Sequence, residues 1–156
     1  MRIGWRRDLA MGDAGGGGGV APLAGARLGA AQVVRYGGML FLAAVLVQFY
    51  LAGRGVFGAS GPVEGAEDLD PHRLLGTVLA ALALILLVAA AVARQTQRML
   101  PTAVVLFVLT AVEGVLAGAG SDTPSLAGGL HVVVALLIFG LGVELVSGTR
   151  MLSPRR

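Results

Sequence analysis

The sequence predicts an all-α integral membrane protein, built as an up-down-up-down four-helix bundle. Three observations carry that prediction. Of 156 residues, 56% are hydrophobic and 13% are charged, against about 25% charged in a soluble domain. The mean hydropathy is +0.82. Such a chain lacks the polar surface to cover a soluble core, which argues against a water-soluble globular enzyme. Four apolar runs are each long enough, with tilt and ragged ends, for the ~20 residues that a helix needs to cross a bilayer. The basic residues, twelve Arg and no Lys, gather at alternate ends of those runs.

Residues 1–32 read as a disordered Gly/Arg-rich tail. They hold Arg2, Arg6, Arg7 and five consecutive glycines from Gly15 to Gly19, a composition of high backbone entropy with little to bury. No apolar stretch of signal-peptide length precedes the glycines. Residues 33–148 read as the transmembrane domain, and residues 149–156 as a basic tail. The first apolar run is Gly37 to Gly53, with Gln48 as its strongly polar residue. The second, Leu74 to Ala93, carries no charge. The third, Met99 to Gly120, contains Glu113, and the fourth, Leu126 to Gly148, contains His131 and Glu144. Continuous apolar runs without period-two alternation select helices over strands. Short loops between runs two and three and between runs three and four make those neighbours antiparallel. Asp70-Pro71 reads as the start of helix two, with Asp70 as the cap and Pro71 at the first helical position.

Arginine placement sets the expected orientation. Ten of the twelve arginines flank one end of the runs, while Arg54 and Arg73 lie at the other among Glu64, Glu67, Asp68, Asp70 and Asp122. The positive-inside rule then places both termini in the cytoplasm, in a multi-pass plasma (inner) membrane protein. The same rule, with attraction to anionic lipid, accounts for the basic tails. The expected partner is therefore the lipid bilayer and not nucleic acid. With no cysteine, thiolate metal sites and iron–sulfur clusters are excluded. No phosphate-binding glycine loop and no catalytic triad can be placed, so the chain reads more readily as a binding protein than as an enzyme.

Polar groups inside apolar runs are costly and call for an explanation. Gln48, His72, Glu113 and His131 all fall in the outer half of the expected bundle, and they include both histidines of the chain. In an up-and-down bundle helices two and four are diagonal, so His72 and His131 at matched depth can face each other. Two readings stay open. The rings can bind opposite faces of a haem iron, with Gly76 and Ala135 providing room and Arg73 and Arg54 at the rim to meet propionates. Alternatively the histidines, Gln48 and Glu113 hydrogen-bond between helices with no cofactor, as in a membrane subunit or scaffold. Glu144 falls on a different helical face from His131 and is expected to pair with Arg94, Arg98 or Arg150. The Gly114 and Gly118 pair, with Gly140 and Gly142, suits close helix approach, within one bundle or in a homodimer.

The segments Gln48 to Gly53, Pro71 to Gly76, Val112 to Gly118 and His131 to Leu136 resemble, in order, one four-helix half of the haem A synthase family. They also resemble a group of small actinobacterial four-helix membrane proteins of unknown function. The resemblance covers about residues 33–148. It implies that His72 and His131 are haem ligands, by the match of His72-Arg73 and His131 with Ala135. It differs in supplying one half instead of two and in having Glu113 where a Gln is usual. The expected function is accordingly an integral membrane protein binding b-type haem through His72 and His131 near the outer face, with electron transfer as the expected role. The alternatives are the cofactor-free subunit, also conceivable within a larger membrane complex, and a half-size haem A synthase-like enzyme.

Overall fold

The computed structural model describes residues 20–57, 69–94, 96–119 and 124–150. Four helices make up the fold: α1 (Val20–Phe57), α2 (Asp70–Ala93), α3 (Met99–Ala119) and α4 (Pro124–Arg150). Among the described residues there is no strand. All four helices are long and apolar enough to cross a membrane, over Ala24–Gly55, Asp70–Ala93, Met99–Ala117 and Leu126–Thr149. The all-α four-helix bundle is therefore the architecture of this chain. Each helix packs on its neighbours in sequence, and α4 closes the ring against α1. That leaves α1 opposite α3 and α2 opposite α4 across the centre.

The packing is that of a membrane bundle. Phe41, Leu86, Leu106 and Val34 are the largest fully buried side chains, and Ala83, Ala90 and Ala103 fill the narrow spaces between helices. Large apolar side chains such as Leu74, Ile85, Val88 and Val115 point outward, where a bilayer removes the penalty that water would impose. Backbones approach most closely at Gly38 and Gly142. A Cβ at Gly38 would lie 2.7 Å from Val146 Cγ2, and one at Gly142 would lie 2.9 Å from Leu42 Cδ2. These two glycines set the α1–α4 contact.

Several expected boundaries move. α1 begins at Val20, well before residue 33. Ala31 and Val34 are buried in the core, so packing accounts for the helix back to about residue 31, while residues 24–29 are exposed and rest on the helix propensity of a stretch rich in Ala. The glycine run at 15–19 lies outside the described residues. At the other end, α4 runs through Thr149 and Arg150, and the Thr149 hydroxyl donates to Val146 O at 2.6 Å. The basic tail thus loses its first two residues to the helix, because a hydroxyl bonded to its own preceding turn needs no outside partner. Residues 151–156 lie outside the description. α2 starts at Asp70 and not at Pro71, its N-cap is Leu69, and no side chain caps it. The Asp70 carboxylate instead takes Arg73 Nη1 at 3.3 Å, one turn on, while still placing negative charge at the helix N-terminus.

α2 ends at Arg94, which adopts the left-handed conformation (φ 42°, ψ 40°) and whose N–H bonds Ala90 O at 3.1 Å. This closes the helix and turns the chain within a few residues into α3, whose first residue Met99 donates its N–H to Thr96 Oγ1 at 3.1 Å.

Candidate functional site: a histidine pair across the bundle

At the end of the bundle away from Arg94, each helix contributes one polar residue. Gln48 (α1) and His72 (α2) form one pair. The Gln48 amide nitrogen donates to His72 O at 2.8 Å and lies 3.4 Å from His72 Nε2, and His72 Nδ1 lies 3.2 Å from Gln48 O. With the proton on Nδ1, the ring donates to that carbonyl and Nε2 keeps a lone pair. Glu113 (α3) and His131 (α4) form the second pair, carboxylate against Nδ1. The Glu113 side chain is 12% exposed and that of His131 29%, so this contact is largely shielded.

The two pairs meet across the centre. The His72 and His131 ring centroids are 6.0 Å apart, with planes at 64°. The rings come from the opposed helices α2 and α4, so the diagonal arrangement brings the only two histidines of the chain together. In both rings Nδ1 faces an oxygen. Gln48 Oε1, both Glu113 carboxylate oxygens and His131 Nδ1 are buried without an aligned hydrogen bond, the Glu113–His131 contact being a close approach of opposite groups, and buried polar atoms of this kind are normally satisfied by water or a bound group.

The other residues singled out by sequence fall less centrally. Gly76 faces α1, where a Cβ would lie 3.3 Å from Gln48 Nε2; its lack of a side chain lets Gln48 reach α2. Ala135 is half-buried one turn beyond His131. Arg73 is on the exterior, paired with Asp70 and 62% exposed, and Arg54 is exposed as well. Neither arginine is drawn to the histidines. Gln48 and Glu113, in contrast, are integral to the cluster. Their shared depth with the histidines was the signal in the sequence, but only the packing shows that they are bonded to the rings. Among the described residues no group of three or more His, Cys, Asp or Glu is arranged to hold a bare metal ion.

Residues 48–120 match a Family of unknown function (DUF6220). The DUF6220 match begins at Gln48 and takes in His72 and Glu113, while His131 lies beyond it. It spans the end of α1, all of α2 and α3, and stops before α4. No curated protein matches the chain, and no solved structure does.

Proposed function

We propose that this membrane protein binds a b-type haem through His72 and His131, in an electron-transfer role. The observation that supports it most is the facing of the two rings. Their centroids lie 6.0 Å apart, from opposed helices, a separation at which both rings could serve one iron. The donor set also suits the group. Each Nδ1 lies against an oxygen, of Gln48 O or Glu113, which orients the ring; to ligate iron, His72 Nε2 would have to exchange its 3.4 Å approach to the Gln48 amide for the metal. The small residues Gly76 and Ala135 each follow a histidine by one helical turn. A haem bound there would supply reversible one-electron transfer, and His72 and His131 would be the residues that hold it.

One observation favours a second reading. His72 already meets Gln48 through both ring nitrogens, so the cluster can also tie helices together with no cofactor. A reduced-minus-oxidised absorption spectrum of the purified full chain separates the two. Haem binding gives a low-spin bis-histidine b-type spectrum, and His72→Ala and His131→Ala each remove most of the haem while Glu144→Gln retains it. Full haem with an unchanged spectrum in both histidine variants would exclude these ligands. Extraction of the pigment after incubation with haem tests the half-size synthase reading, since that activity would alter the extracted porphyrin.

A further inference from the structure

The opposite end of the bundle holds a separate arrangement. Glu144 is 13 residues beyond His131, roughly 20 Å along the helix. A cavity of about 500 Å³ opens there between the start of α3 and the last turns of α4, lined by Gln97, Arg98, Thr102, Glu144, Leu145 and Ser147 among others. An adjoining shallow, open depression shares Thr96 and Gln97 with it and adds Arg94 and Leu100.

Glu144 lies within the apolar span Leu126–Thr149. It is exposed and makes no ion pair among the described residues; of its expected partners Arg94 and Arg98 do not pair with it, and the Arg150 side chain lies outside the described residues. A carboxylate in a membrane span calls for a cationic partner. Arg98 opens onto the same cavity and is equally without an ion pair among the described residues. Arg94 spends its Nε on Ala91 O at 3.2 Å. Opposite charges therefore line one cavity without meeting, which suits a ligand that carries both signs.

We propose that this cavity binds a phosphoethanolamine headgroup, supplied by a membrane phospholipid. Its phosphate lies against the Arg98 guanidinium, with Arg94 alongside, a pairing for which the planar fork of arginine is suited. Its ammonium donates to Glu144; a primary ammonium has N–H donors to give a carboxylate, which a choline group lacks. Leu100, exposed beside Arg94, offers apolar surface to the acyl chains. The location at the helix ends matches headgroup depth.

The test is lipid retention by the full chain in mild detergent, read by native mass spectrometry against phosphatidylethanolamine, phosphatidylcholine and free phosphoethanolamine. The wild type is expected to retain phosphatidylethanolamine about tenfold better than phosphatidylcholine, the scale of one charge-assisted hydrogen bond. Glu144→Gln abolishes that preference while residual binding of both lipids survives, Glu144→Asp keeps it, and Arg98→Gln weakens both lipids. Equal retention of the two lipids by the wild type overturns the assignment, as does a preference that survives Glu144→Gln. Displacement of the lipid by an equal concentration of free phosphoethanolamine overturns the lipid source. If Arg98→Glu with Glu144→Arg restores wild-type thermal stability with no lipid preference, the two residues serve only each other and the proposal falls. The histidine cluster is remote, so none of these outcomes depends on haem.

Discussion

Gln48 and His72 are tied at two points, amide to carbonyl and ring to carbonyl, and these bonds join α1 to α2 where both are apolar. Hydrogen bonds between membrane helices are worth about 0.6 kcal/mol on average and up to ~1.7, because the separated helices also find partners. A double-mutant cycle with Gln48→Ala and His72→Ala is expected to give a coupling of about 1 kcal/mol in unfolding from detergent micelles. Strict additivity would show that the bonds contribute nothing. The Glu113–His131 contact is part-buried too, and Glu113→Leu leaves the His131 ring without its acidic neighbour. That variant should lose about 1–3 kcal/mol, whereas Glu113→Gln, which keeps an acceptor oxygen, should lose clearly less in the same assay.

Between helices, small residues matter where backbones approach. A methyl group added at Gly38 meets Val146 at 2.7 Å, and one added at Gly142 meets Leu42 at 2.9 Å. Gly114 and Gly140 have nothing within 4 Å of that position. Gly38→Ala and Gly142→Ala should therefore each cost about 1–3 kcal/mol through overpacking, while Gly114→Ala and Gly140→Ala should be neutral or slightly stabilising through helix propensity. Thermal unfolding of the four variants in one detergent measures the contrast, and equal losses at all four positions would contradict the packing. At the end of α2, Arg94 sits in a backbone region that favours glycine; Arg94→Gly should relieve strain of about 1 kcal/mol and raise the melting temperature.

For the whole molecule, the arginine distribution predicts that the histidine end faces outward and both termini lie in the cytoplasm. Cysteines introduced singly as Glu64→Cys and Arg98→Cys should differ in labelling by an impermeant thiol reagent on intact cells, the first labelled and the second protected. Equal labelling would reject that orientation. The two candidate ligands come from one chain, so a monomer in nanodiscs should carry the haem signal by mass and absorbance. Haem confined to dimers would place the site between copies, with the open faces at Gly114 and Gly140 available for contact.

Much of the architecture was legible because bilayer length and hydropathy constrain helices almost without tertiary help: the span containing Leu74 to Ala93 needs no partner to be recognised as a helix. The matched depth of Gln48, His72, Glu113 and His131 was legible too, since antiparallel helices convert sequence position into height. Rotation about each helix axis was not, because an all-round apolar helix has little preferred face; only packing paired Gln48 with His72 and Glu113 with His131, and turned Arg73 outward to Asp70. The extension of α1 toward Val20 was hidden because only the packing of Ala31 and Val34 anchors the helix ahead of its apolar run, and the exposed turns before them follow from helix propensity. Glu144 shows the same division. Its unusual place in an apolar span could be read from sequence, but the cavity that separates it from Arg98 exists only once α3 and α4 have packed, because the shape of their contact, and not either helix alone, decides where space remains.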